Sequence, residues 1–80
     1  MSERIVELVS YIAKSLVDAP DDVKVEAKER DDAIVIELSV AQGDMGKVIG
    51  KQGRIAKAIR TVVKAASIKS DKKFVVDILD

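Results

Sequence analysis

The apolar residues of this 80-residue chain keep two different periods, and the points where one replaces the other constrain the fold most. Ile5, Leu8, Val9, Ile12 and Leu16 recur at helical spacing and predict an amphipathic helix over residues 3–17. Ser2 is placed to cap it, Glu3 suits its positive end, and "DAP" at 18–20 stops it. Val23, Val25 and Ala27 then alternate with Lys24, Glu26 and Lys28, the period of a half-buried strand. After the polar turn "ERDD", Ile34, Ile36, Leu38 and Val40 resume that alternation, which predicts a hairpin. Near residue 44 the period turns helical again. Asp44 is expected to cap a short helix through Met45, Val48 and Ile49 that ends at Gly50. A further helix is expected from about Gly53 to Ala66. Its apolar residues Ile55, Ala58, Ile59, Val62, Val63 and Ala66 span an arc of roughly 140°, with Arg54, Lys57, Arg60 and Lys64 opposite. "SIKSDKK" reads as a polar loop and "FVVDIL" as a last strand with Phe74, Val76 and Ile78 on one face.

The order helix, strand, strand, helix, helix, strand predicts one α+β domain over residues 1–80. The two strands flanking the helix pair are joined by a crossover, so they should be parallel neighbours. The first hairpin strand is then antiparallel at an edge. Three helices on one face of this three-stranded mixed sheet make a two-layer sandwich.

Composition narrows the chemistry. With no cysteine and no histidine, the chain lacks a thiol nucleophile, the commonest metal ligand and the usual neutral-pH base. No cofactor or metal is expected. The acidic residues lie on turns and strand faces without a paired arrangement, so an enzyme is not expected. The N-terminal segment carries charges throughout and is neither a signal peptide nor a membrane span, which leaves the cytoplasm as the expected compartment. Net charge is zero, but its distribution is not even. Residues 1–40 carry 5 basic and 10 acidic side chains, and residues 41–80 carry 9 basic and 4 acidic. From Lys47 to Lys64 there are 6 basic residues and no acidic one. Such a dipolar chain presents one anion-attracting surface, although a solvated helix face would look the same.

All four glycines (Gly43, Gly46, Gly50, Gly53) lie in "GDMGKVIGKQG", at the head of that basic run. In "GKQG", glycine at both corners gives access to positive φ and leaves the outer surface without Cβ atoms. The helix that follows offers unpaired N–H groups and a positive dipole end, a ready phosphate contact. Lys51 adds a mobile charge and Gln52 a neutral hydrogen-bonding tip. The competing reading is plain punctuation between two helices. A P-loop is excluded by spacing, because Gln52 stands where Ser or Thr would hold magnesium.

"VIGKQGRIAKAI" resembles the KH signature VIGxxGxxI followed by an aliphatic residue one turn later, matched by Val48, Ile49, Gly50, Gly53, Ile55 and Ile59. A helix and strand preceding the core motif resemble the type II, prokaryotic form. Length and layout are similar to the small bacterial single-KH proteins of the KhpA family. The resemblance implies single-stranded RNA binding in a groove for about four nucleotides. Gly50, Lys51, Gln52 and Gly53 would clamp the phosphates. Ile49, Ile55 and strand residues from Leu38 to Val40 would floor the bases, and Arg54 and Lys57 would add charge at the rim. The sheet edge and the loop after the last helix would form the other wall. Ile55 and Ile59 have a competing role as plain core. Tyr11 and Phe74 are the only aromatics and neither lies in the motif, so stacking is not expected to dominate affinity. Weak, salt-dependent binding follows. The resemblance also implies self-association and pairing with a larger Jag/EloR-like KH protein. It further implies RNA chaperoning, post-transcriptional control, and a link to cell shape and peptidoglycan homeostasis. An interaction module with little RNA binding, and single-stranded DNA as the ligand, remain the alternatives.

Overall fold

The computed structural model describes residues 1–79. It contains helix α1 (Ser2–Leu16), strands β1 (Lys24–Glu29) and β2 (Ala33–Ser39), helices α2 (Met45–Ile49) and α3 (Arg54–Ala66), and strand β3 (Lys73–Ile78). Short 3-10 turns at Pro20–Asp22, Gln42–Asp44 and Lys51–Gly53 link them. The sheet order is β1-β2-β3, with β1 antiparallel and β3 parallel to β2. Ile36 pairs with Ala27 on one side and Val76 on the other, in the α+β arrangement expected from the period changes. The crossover through α2 and α3 is what makes β2 and β3 parallel neighbours.

One core joins the layers. Ile5, Val9 and Ala13 of α1, Val48 of α2, and Ile59 and Val63 of α3 pack with Val23, Ile36, Leu38 and Val76. Lys24, Glu26 and Lys28 lie exposed on the other side of β1, so the helices cover one face of the sheet. Among the described residues, no helix is long and apolar enough to cross a membrane.

Five local expectations are corrected. Met1, not Ser2, holds the N-cap position of α1, and Ser2 is its first helical residue because the Ile5 N–H already bonds the Met1 carbonyl at 3.2 Å. The buried row of α1 is Ile5, Val9 and Ala13, since alanine lets the helix approach the sheet closely, and Leu8, Ile12 and Leu16 are half-buried at its margins. In α3 the buried row is Ala56, Ile59 and Val63, while Ala58, Val62 and Ala66 are exposed. This helix has more apolar residues than its contact with the sheet can cover. Ala27 is exposed on the edge strand β1.

The fifth concerns Asp44, whose side chain does not cap α2. Its buried carboxylate instead accepts the backbone N–H groups of Ala19 (3.0 Å) and Asp18 (3.3 Å). Lys47 Nζ lies 3.3 Å from Asp44 Oδ1 and 3.3 Å from Asp18 Oδ2. The link leaving α1 is thereby pinned to the start of α2. Burial pushes the Asp44 carboxyl up, but the two amides and the Lys47 ammonium outweigh it and leave the group below its ordinary value. Hydrogen bonds to Asp44 and then Asp18 raise Lys47.

Because Asp44 titrates lower in the folded than in the unfolded chain, its contribution is fully present above the unfolded pKa. It is lost as pH falls through the folded value. Asp44→Asn is expected to lower the thermal midpoint at neutral pH by several degrees and to flatten the acid limb of a midpoint-versus-pH curve. Melts of both proteins across the acid range check this, and parallel curves would contradict it.

Candidate nucleic-acid interface

The turn between α2 and α3 is built by three departures from ordinary backbone geometry, at Gly50, Gln52 and Gly53. The Gly50 N–H closes α2 on the Gly46 carbonyl at 2.8 Å, and Gly50 then takes φ 77° and ψ 172°. Gln52 follows at φ 59° and Gly53 at φ 76°, both left-handed. The Gly53 N–H returns to the Gly50 carbonyl at 3.1 Å. Gln52 is the only non-glycine residue with positive φ among the described residues. Such strain at an exposed polar tip marks a position held by its surroundings rather than by its own preference.

The two glycines serve different purposes. A Cβ on Gly50 would sit 2.2 Å from Ile55 Cγ1 and 2.8 Å from the Ile55 backbone nitrogen. Gly50 is therefore needed inside the turn, where Ile55 fills the space, rather than on its outer surface. A Cβ on Gly53 would meet nothing within 4 Å, so there the backbone is open to an approaching group. No side chain caps α3 at Gly53, and the Gly53 and Arg54 N–H groups turn back to the Gly50 and Lys51 carbonyls, so the helix presents the positive end of its dipole beside exposed Lys51 and Gln52.

The remaining expected site residues divide by position. Ile49, at the end of α2, is 36% exposed. Arg54 and Lys57 are exposed on the first turns of α3, and Arg60 and Lys64 extend the same stripe. None of Lys51, Arg54, Lys57, Arg60 or Lys64 makes an ion pair among the described residues, so their charge is available to an outside anion. Lys47 differs, because Asp44 and Asp18 hold it. Val40 lies half-buried just beyond β2, against the margin of the core. Leu38 is fully buried on the central strand and cannot form part of a floor under bases. Ile59 is core, and Ile55 is half-buried beneath Gly50.

The strand that faces the basic stripe is β3, at the sheet edge. Between α3, the link after it and β3 runs a largely apolar groove of about 680 Å³, whose lining includes Arg60, Lys64, Phe74 and Val75. Phe74 lies outside the glycine motif and is not among the site residues expected from it. The signal that could have found it was topological, since the predicted strand order already leaves the last strand at the edge beside the last helix. Gly50→Ala is expected to cost about 3 kcal/mol or more, combining left-handed strain with the clash at Ile55. Gly53→Ala should cost only the conformational term, about 1–2 kcal/mol. Urea unfolding of both variants checks this ranking, and equal losses would contradict it.

The profile of the KhpA/KhpB KH domain matches residues 6–78. A relative from Clostridium perfringens strain 13, named RNA-binding protein KhpA, is 66% identical over 73 residues, covering 91% of this chain and 97% of the relative. One of the same name from Bacillus subtilis strain 168 is 53% identical over 74 residues, covering 92% and 91%. Among solved structures, Era from Aquifex aeolicus superposes with a TM-score of 0.62 at 21% identity, over 92% of this chain and 29% of Era. That likeness supports the type II KH fold alone. The matched profile describes KH domains and not enzymes. By the extent of the profile match and the identity to these relatives, the chain belongs to the KhpA/KhpB KH-domain family.

Proposed function

We propose that the chain binds single-stranded RNA along α3, with about four nucleotides held by the turn Gly50–Gly53. The observation that carries this is the open backbone at Gly53, set at the uncapped start of α3 beneath exposed Lys51 and Gln52. A phosphate there meets open backbone, the positive end of a helix dipole and a mobile ammonium together. Arg54 and Lys57 hold the next phosphates, and Ile49 and Val40 offer aliphatic surface to the bases. The relatives' name, RNA-binding protein KhpA, supports the ligand class. Phosphate contacts dominate, so affinity should fall with a log–log salt slope of about −0.7 for each phosphate neutralised.

The same reading has the chain act in the cytoplasm as an RNA chaperone or post-transcriptional regulator. It pairs there with itself or with a larger Jag/EloR-like KH protein, in a role linked to cell shape and peptidoglycan homeostasis. The exposed row Ala58, Val62 and Ala66 on α3, with Val62 40% exposed, supports pairing through that side of the helix.

Fluorescence anisotropy with a pool of unstructured RNA oligomers tests the proposal. Lys51→Asp/Gln52→Asp should weaken binding by about tenfold or more while the circular dichroism spectrum is kept, because two carboxylates replace the groups facing the phosphates. Unchanged binding would move the site elsewhere. Absence of binding by the wild type would favour an interaction module.

A further inference from the structure

Helix α2 carries Ile49 at its last position and delivers the chain to Gly50, yet it has only five residues. A helix of little more than one turn has no stability of its own in water. Its placement is therefore set by what it packs against. Val48, fully buried, ties its middle to the core. At its C-terminal end, Ile55 fills the space beside Gly50. At its start, Asp44 and Lys47 reach across to the residues that leave α1.

This last contact is more than a surface ion pair. Asp44 is 4% exposed, and its Oδ1 and Oδ2 accept the Asp18 and Ala19 N–H groups at 3.3 and 3.0 Å. Lys47 Nζ lies 3.3 Å from Asp44 Oδ1 and 3.3 Å from Asp18 Oδ2. Helix α1 is itself seated through buried Ile5, Val9 and Ala13, so the residues after it give α2 a fixed reference. Gly50 lies six residues beyond Asp44, about 9 Å along a helix, so any rotation of α2 about Val48 displaces it. Of the basic residues from Lys47 to Lys64, Lys47 alone is held in an ion pair among the described residues. By charge alone, a carboxylate this near a site for a polyanion works against binding. Its presence is accounted for if it has another task.

We propose that Asp44 and Lys47 are positioning residues for RNA binding. Joined to Asp18 and Ala19, they hold α2 at the angle that presents Ile49 and Gly50 to the ligand, and neither touches RNA. This inference rests on the turn Gly50–Gly53 holding RNA, and the test separates the two. Charge and position predict opposite signs for Asp44→Asn. Removing negative charge near the turn would tighten binding of a polyanion, whereas releasing α2 weakens it.

The pool of unstructured RNA oligomers is titrated at a temperature where circular dichroism shows every variant folded. Asp44→Asn and Lys47→Met should each bind about fivefold more weakly, the loss expected when α2 is correctly placed in roughly one molecule in five. Lys47→Met should keep the wild-type salt slope, and Lys47→Arg should restore affinity. Asp44→Asn/Lys47→Met should lose no more than either single variant, because both break one linkage. Ile5→Val, in the core at the other end of α1, should lower the thermal midpoint and leave binding unchanged. Binding by Asp44→Asn equal to or tighter than wild type would overturn the positioning role and leave the clamp standing. A slope shallower by about 0.7 for Lys47→Met would also overturn it and make Lys47 a phosphate contact. An equal loss of binding in Ile5→Val would overturn it in favour of a general effect of stability. Failure of wild type to bind, or unchanged binding by Lys51→Asp/Gln52→Asp, would overturn both readings.

Discussion

Ile55 occupies the space that a side chain on Gly50 would need, and the geometry of the candidate site depends on that contact. It seats the first turn of α3 directly against the end of α2. The intervening residues then have no room to continue either helix, and the chain passes through φ values of 77°, 59° and 76° at Gly50, Gln52 and Gly53. Lys51 and Gln52 are carried outward as a result. The start of α3 is left uncapped, with open backbone at Gly53. One close approach in the interior of the turn therefore produces an exposed set of donors on its exterior. The positive φ of Gln52 is explained in the same way, as strain imposed by a turn whose ends are fixed by packing.

Electrostatics then separates structural from available charge. Lys47 belongs to the basic run by sequence, but Asp44 and Asp18 engage it in holding the α1 exit against α2. Lys72 is engaged by Glu29. The cations of α3 and Lys51 have no such partners among the described residues, and they lie on one side of the molecule. A chain with zero net charge can thus attract a polyanion to one surface without being adhesive on the others.

Much of this was legible in the residues. The change of apolar period gave the element order, and the crossover rule gave the parallel pair β2 and β3. The positions of Gly50 through Gly53 marked the turn. Three things were not legible from local pattern. The apolar arc of α3 is wider than its contact surface, so periodicity alone could not separate buried Ala56 from exposed Ala58 and Val62. Asp44 looked like a cap because its sequence neighbours are helical, while its partners Asp18 and Ala19 lie 26 and 25 residues away. Phe74 joined the groove only through strand order, and Leu38 left it for the same reason, as a residue of the central strand.

Amide chemical-shift mapping of the folded chain with an unstructured RNA oligomer tests the central claim most directly. Perturbations are expected to begin at Ile49 to Arg54, continue through Lys57 along α3 and appear on β3 at its open edge, with the outer face of α1 around Tyr11 unaffected. Perturbations centred on α1 or on Glu26 and Glu37 of the open sheet face, with Gly50 to Gly53 silent, would contradict the account.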